Sequence, residues 1–258
     1  MMRVPVRYYM PYPPESPLGH RRGVVKADPA RTAFILVDAY LPPPPMGADT
    51  LSRADYQAKN DIARESIAPA LAAARNAGLH IIYVANSAPL IAAERSAFGR
   101  HLRTSGSDPL TEFTEETVDP LEYRRGPAQS LVYPELIAPQ ASDYYIRKHV
   151  YSGFYATRLD TLLRNLRIDT LIAVGFRLDA CLGLTLMDAH YRNIQVILLR
   201  DCTIACDTPE EQVSRAFTKR MVLWHEVLIG PTSTSAQFVA ACDRYRDGLE
   251  APETDQGS

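Results

Sequence analysis

From residue 32 onward the chain alternates short unbroken apolar runs with longer segments of helical spacing. The runs are Thr32–Asp38 (TAFILVD), Leu79–Ala85 (LHIIYVA), Asp143–Arg147 (DYYIR, with Lys148 directly after), Thr170–Val174, Gln195–Arg200 and a short one at Val227–Ile229. Apolar runs of this length without in–out alternation suit strands buried on both faces, as in a parallel sheet. Between them, Ile62, Ile67, Leu71 and Ala74 recur at helical spacing within Ala54–Ala77, ahead of a stop at Gly78, with Pro69 marking a kink or a restart. Further helices are expected at Leu159–Leu166, capped by Thr157, at Ala180–Tyr191, at Glu210–Leu223, opened by Thr208 and Pro209, and at Ser235–Arg246. Strand–helix alternation over some 200 residues predicts an α/β fold. Its form is a single-domain, three-layer α/β/α sandwich of Rossmann-like type, built on a mainly parallel six-stranded sheet with right-handed crossovers.

Four stretches fall outside this rhythm. Residues 1–30 are rich in Pro, Tyr and Arg and read as an extended N-terminal arm. Its Tyr8, Tyr9 and Tyr12 either pack on the body or a neighbouring subunit, or belong to a mobile tail. Leu41–Pro45 (LPPPP) continues neither strand nor helix and must be loop. Residues 86–139 lack a steady period and are expected to form an irregular excursion near the pocket, with short helices such as one near Ile91–Phe98. The polar tail 248–258 reads as loose, which leaves 31–247 as the domain.

Composition narrows the class. Hydrophobic residues make up 46% and charged residues 22% of the 258, with a net charge of −2. These values describe a globular protein with a full core, and without a basic surplus for nucleic acid or an anionic membrane. No apolar run approaches the length of a membrane span, and the N-terminus has no apolar core of a signal peptide. Four cysteines are too few for a disulfide framework, so reduced thiols and a cytoplasmic setting are expected.

In open parallel sheets ligands bind at the carboxyl ends of strands. Asp38 ends the first predicted strand, Lys148 the third, and Cys181 starts the helix after the fourth, beyond Gly175. A helix N-terminus and a nearby ammonium both favour thiolate over thiol. Asp38 is suited to accept the thiol proton and return it to a leaving group, Lys148 to pair with the carboxylate, and backbone N–H groups of the turn to hold an oxyanion.

These residues and spacings resemble the isochorismatase-like cysteine hydrolase superfamily over roughly residues 32–230. The resemblance is carried by FILVD, by KHVYSGFYATRLDTLL from Lys148, and by VGFRLDAC ending at Cys181. Tyr151–Arg164 looks like the corresponding run of the ureidoacrylate amidohydrolase branch; biuret hydrolases, N-carbamoylsarcosine amidohydrolases and nicotinamidases are more distant. The resemblance implies a catalytic triad of Asp38, Lys148 and Cys181. Cys181 would attack an amide or ureido carbonyl, giving a thioester-type intermediate. It also implies a cis peptide at Phe176–Arg177, oxyanion donors at the N–H groups of Arg177 and Cys181, and a homodimer or homotetramer acting on a small molecule.

Three positions depart from the family pattern. Tyr40 stands where an amide is common, Leu178 where a threonine is usual, and Arg177 where a small residue is usual. Arg177 either binds a substrate carboxylate, points to solvent, or forms a structural ion pair with Asp179 or Asp201. Tyr40, Tyr151 and Phe154 are candidate pocket residues, against ordinary packing. No D-x-H motif occurs in the loop after the first helix region, and the six histidines are scattered, so no metal and no cofactor are called for. Cys202 and Cys206 form a C-x₃-C pair without further ligands, and Cys242 reads as core. The function expected is a cysteine amidohydrolase, against a catalytically silent binding or scaffold subunit of the same fold.

Overall fold

The computed structural model describes residues 1–11, 18–40, 50–86, 97–104 and 132–249. Its strands are β1 (Met2–Met10), β2 (Gly19–Ala27), β3 (Thr32–Val37), β4 (His80–Asn86), β5 (Tyr144–Lys148), β6 (Thr170–Gly175), β7 (Gln195–Leu199) and β8 (Thr232–Ser233). Helices α1 (Thr50–Ile62) and α2 (Ala68–Asn76) are joined by a π turn at Ala63–Ile67. They are followed by α3 (Ala97–Thr104), α4 (Leu159–Asn165), α5 (Cys181–His190), α6 (Ala216–Leu228) and α7 (Ser235–Arg246). Pro69 sits in the first turn of α2, where its missing N–H costs nothing, so helix continues through it with one widened turn.

The sheet order is β2-β1-β8-β7-β6-β3-β4-β5. The six strands from β8 to β5 pair in parallel, and β1 joins β2 and β8 antiparallel. Alternation along each buried strand separates two cores. Phe34 and Leu36 face α2 and α7, with Leu71, Ala74 and Phe238. Ala33, Ile35 and Val37 face α4, α5 and α6, with Leu163, Leu182, Leu186 and Val222. This is the expected three-layer sandwich.

Residues 1–30 are more organised than an extended arm. Met2 to Met10 pair residue by residue with Ala27 to Gly19, making a hairpin that extends the sheet to eight strands. Met2, Val4 and Val6 are buried, and β2 alternates between half-buried and exposed positions. The hairpin is clamped from α6 by Glu226, whose buried carboxylate accepts from Arg7 Nε at 2.8 Å and Thr232 Oγ1 at 2.6 Å and lies 2.9 Å from His20 Nε2. The hairpin itself is local, but its place in the sheet rests on the single pair Arg7–Thr232, which joins the two ends of the chain.

The expected helix at Glu210–Leu223 and strand at Val227–Ile229 are corrected. Arg215 has a left-handed backbone (φ 52°), and helix begins only at Ala216. Asp207 accepts from Thr218 N at 3.0 Å in the first turn, so the cap is Asp207 rather than Thr208. The apolar residues Val227 and Leu228 complete that helix, and the sixth parallel strand is Thr232–Ser233. A three-residue apolar run fits either period equally. Leu41–Pro45, the predicted helix near Ile91–Phe98 apart from its last residues, Tyr12 and most of the tail lie outside the described residues. No described helix is long and apolar enough to cross a membrane.

His225 lies fully buried in α6, with neither ring nitrogen hydrogen-bonded among the described residues. Burial, helped by His190, depresses its pKa to about 3. A histidine titrating lower in the folded than in the unfolded chain contributes stability above pH 6.5 and loses it as pH falls toward 3. Denaturant unfolding is expected to weaken by about 1.4 kcal/mol per pH unit below 6.5. His225→Leu should flatten that slope; an unchanged slope would rule the histidine out as its source.

Candidate active site

The sheet's switch point lies between β3 and β6. Chain order runs outward from β3 through β4 to β5, then returns to β6 on the other side of β3. At the carboxyl ends of β5, β4, β3 and β6 stand, side by side, Lys148, Asn86, Asp38 and the turn that leads to Cys181. Register sets these ends level: Lys148 pairs with Asn86, and Val37 with both Val84 and Gly175.

Asp38 leaves β3 in a left-handed conformation (φ 46°), which aspartate tolerates better than most residues, while its N–H holds Val84 O at 2.8 Å. After β6, Gly175 (φ 122°) passes so near β3 that a Cβ there would lie 2.0 Å from Val37 O. Only glycine allows that approach. The next peptide, Phe176–Arg177, is cis. The turn is laced to the segment after β7: Gly175 N donates to Cys202 O at 3.1 Å, Leu178 N to Ile204 O at 2.9 Å, and Cys206 N to Asp179 Oδ1 at 3.1 Å. Cys181 then opens α5. Gly183, two residues on, lets that helix sit against Leu178 O, 2.0 Å from where a Cβ would be. Thr185 completes the mounting, donating to Cys181 O at 2.7 Å and accepting from Gly153 N at 2.9 Å.

The structure brings the three predicted catalytic side chains together. Lys148 Nζ is fully buried and lies 2.8 Å from Asp38 Oδ2. Asn86 Oδ1 is a further acceptor for it, and Cys181 lies close enough to act on it electrostatically. Asp38 Oδ1 is buried with no hydrogen-bond partner among the described residues. The thiol is only partly exposed. Burial first and then the Asp38 carboxylate push its pKa up to about 12, against the opposing pull of Lys148. Here the thiolate expectation is corrected: the resting group is a thiol beside a carboxylate with a lone pair to spare. The expected oxyanion donors are unspent, since neither Arg177 N–H nor Cys181 N–H finds an acceptor among the described residues.

Tyr40 and Arg177 also belong to the site. Tyr40 OH accepts from Asn86 Nδ2, and burial and the charges of Asp38 and Cys181 raise its pKa well above the ordinary value. Its ring meets Tyr133 edge-on at 6.1 Å. Arg177 forms a bidentate pair with Asp179, Nε to Oδ1 at 3.2 Å and Nη2 to Oδ2 at 3.1 Å. That is the structural ion pair among the roles the sequence left open, and it braces the turn. Asp201 is taken by Ser235. Phe154 lies in the core, with the Arg192 guanidinium 4.6 Å from its ring centroid, and Tyr151 stands partly exposed on the loop after β5.

Asn86, Thr185 and Lys59 escaped the sequence reading. Asn86 carried a usable signal, because it ends an apolar run as Asp38 does. Thr185 and Lys59 had none: Lys59 Nζ lies 6.0 Å from the Phe176 ring centroid only because α1 folds over the turn. Among the described residues, no group of three or more His, Cys, Asp or Glu side chains is arranged to hold a metal ion.

Comparison with known proteins places this geometry. The family model for the Isochorismatase domain matches residues 48–229. The chain belongs to the isochorismatase family. It is 31% identical over 213 residues to the ureidoacrylate amidohydrolase RutB of Methylobacterium radiotolerans, covering 74% of this chain and 80% of that protein. Among solved structures, it resembles a cysteine hydrolase from Pseudomonas syringae pv. phaseolicola 1448A. The TM-score is 0.65 at 25% identity, over 84% of this chain and 94% of the other. It also resembles the N-carbamoylsarcosine amidase of Thermoplasma acidophilum, with a TM-score of 0.52 at 25% identity over 80% and 96% of the two chains. Membership makes the chain an isochorismatase-family hydrolase, and the family's fold accounts for the six parallel strands under the site.

Proposed function

We propose that this isochorismatase-family hydrolase is a cysteine-dependent amidohydrolase that cleaves a C–N bond in a small amide, ureido or N-carbamoyl compound. The observation that carries the reading is the buried Lys148–Asp38 pair beside a half-buried thiol at a helix start. The names of the ureidoacrylate and N-carbamoylsarcosine relatives support the substrate class.

Asp38 Oδ1 takes the proton of Cys181 as the sulfur attacks the carbonyl carbon. The carbonyl electron pair moves onto oxygen, where Arg177 N–H and Cys181 N–H receive it. Collapse of that oxyanion breaks the C–N bond, and protonated Asp38 delivers its proton to the departing nitrogen. Water, deprotonated by Asp38, then cleaves the thioester or thiocarbamate and frees Cys181. Lys148 pairs with the Asp38 carboxylate and stabilises the negative charge that passes through sulfur. Positioned acid–base catalysis is worth ~10²–10⁴-fold, and each oxyanion donor about 10²–10³-fold.

The test is ammonia release from ureidoacrylate, biuret, N-carbamoyl amino acids, nicotinamide and simple carboxamides, with Cys181→Ser as the control. At least one substrate is expected to turn over with wild type, and none with the variant. Activity that persists without the thiol would remove Cys181 as nucleophile.

A further inference from the structure

We infer that Asn86 orients Tyr40 so that its phenol O–H points into the site, where it donates a hydrogen bond to an acceptor oxygen of the bound substrate. This deepens the reading of the site as an amidohydrolase centre and rests on it. The deduction begins at Lys148, whose ammonium has three donors and no acceptor. It can meet Asn86 only through Oδ1. The other end of the amide, Nδ2, therefore faces Tyr40 and donates to the phenol oxygen. A phenol that accepts from Asn86 must direct its single hydrogen elsewhere.

No acceptor for that hydrogen is recorded among the described residues, although Tyr40 lies within electrostatic range of both Asp38 and Cys181. Burial keeps the phenol neutral at working pH, so it stays a donor. A buried O–H without an acceptor costs free energy until something supplies one. The reacting carbonyl is served by the two backbone N–H groups. Tyr40 therefore suits a second oxygen next to the scissile bond, as a ureido, carbamoyl or carboxylate group provides and a plain alkyl amide does not. Asn86, buried between Lys148 and Tyr40, is a positioning residue: it fixes the cation and the direction of the phenol with one amide.

The test needs no known substrate. Cys181 is alkylated with N-carbamoyl-2-iodoacetamide, whose ureido carbonyl supplies a second acceptor oxygen, and with iodoacetamide, which has only one; the ratio of the two rates separates recognition of that oxygen from thiol reactivity. Tyr40→Phe is expected to lower the ratio about tenfold, in line with loss of one hydrogen bond, with the loss falling on the carbamoyl reagent. Asn86→Asp offers the phenol a carboxylate, which turns its hydrogen away from the site and should lower the ratio comparably. The double variant should lose no more than the worse single variant, because one donor is lost in each. A ratio unchanged in Tyr40→Phe, or losses that multiply in the double variant, would overturn the inference. If wild type releases no ammonia from any of the substrates above, the hydrolase reading itself fails and this inference with it, whereas an unchanged ratio in an active enzyme overturns this inference alone.

Discussion

Asp38→Asn is expected to stop turnover while making Cys181 easier to alkylate. The two effects have opposite signs because Asp38 acts on the thiol in two ways. As the proposed base it would remove the proton during attack, and its loss should cost ~10²–10⁴-fold in kcat. As a fixed negative charge it holds the thiol pKa up, second only to burial, while Lys148 draws it down. With the carboxylate gone, only burial opposes the pull of Lys148, and the thiolate fraction near neutral pH rises. Iodoacetamide labelling at pH 7.5 should therefore speed up severalfold as ammonia release disappears. In wild type the labelling rate should keep climbing with pH through 9, as fits a thiol titrating at about 12. Slower labelling in Asp38→Asn, or a wild-type plateau near neutral pH, would refute this account of the charge balance.

The second large effect is expected from Lys148→Met, and it falls on stability. Methionine nearly reproduces the length of the side chain, but it leaves the buried Asp38 carboxylate and Asn86 Oδ1 without their donor. Breaking a buried pair by removing one partner costs about 3–5 kcal/mol, mostly from the charge left behind. Adding Asp38→Asn should recover much of that loss, since two neutral side chains replace a desolvated pair. Urea unfolding of the wild type, the single and the double variant measures it. Recovery of stability without recovery of turnover would mean that the ion pair is kept for chemistry and not for the fold. A double variant as unstable as Lys148→Met alone would contradict that.

Much of the frame was legible because buried parallel strands announce themselves. TAFILVD, LHIIYVA and the run at 170–174 are apolar on both faces, and their carboxyl ends mark where ligands bind. That rule led directly to Asp38, Lys148 and Cys181. It applied equally to Asn86, which was passed over because an amide carries no obvious chemistry alone; its role exists only between Lys148 and Tyr40. The charge state of Cys181 was misread for a related reason. A helix start and a lysine are visible in sequence, whereas the burial that outweighs them depends on how α5 packs on the sheet. The docking of the hairpin on β8 rests on a pair that joins the two ends of the chain, and the late start of α6 on side-chain bonds from Asp207 to Thr218, and neither leaves a periodic mark in the sequence.

The hairpin clamped by Glu226 also decides what the protein presents at one end of its sheet. Without it the edge would be β8, two residues long, with β7 behind it. With it the outermost strand is β2, whose exposed positions include Arg22 and Lys26. An open edge offers unpaired N–H and C=O groups to any strand, and a second copy is the commonest partner. Laid edge to edge, two copies of β2 would set arginine and lysine against arginine and lysine. The same thirty residues that lengthen the sheet thus give it an ending that repels its own kind, and so guard the molecule against aggregation.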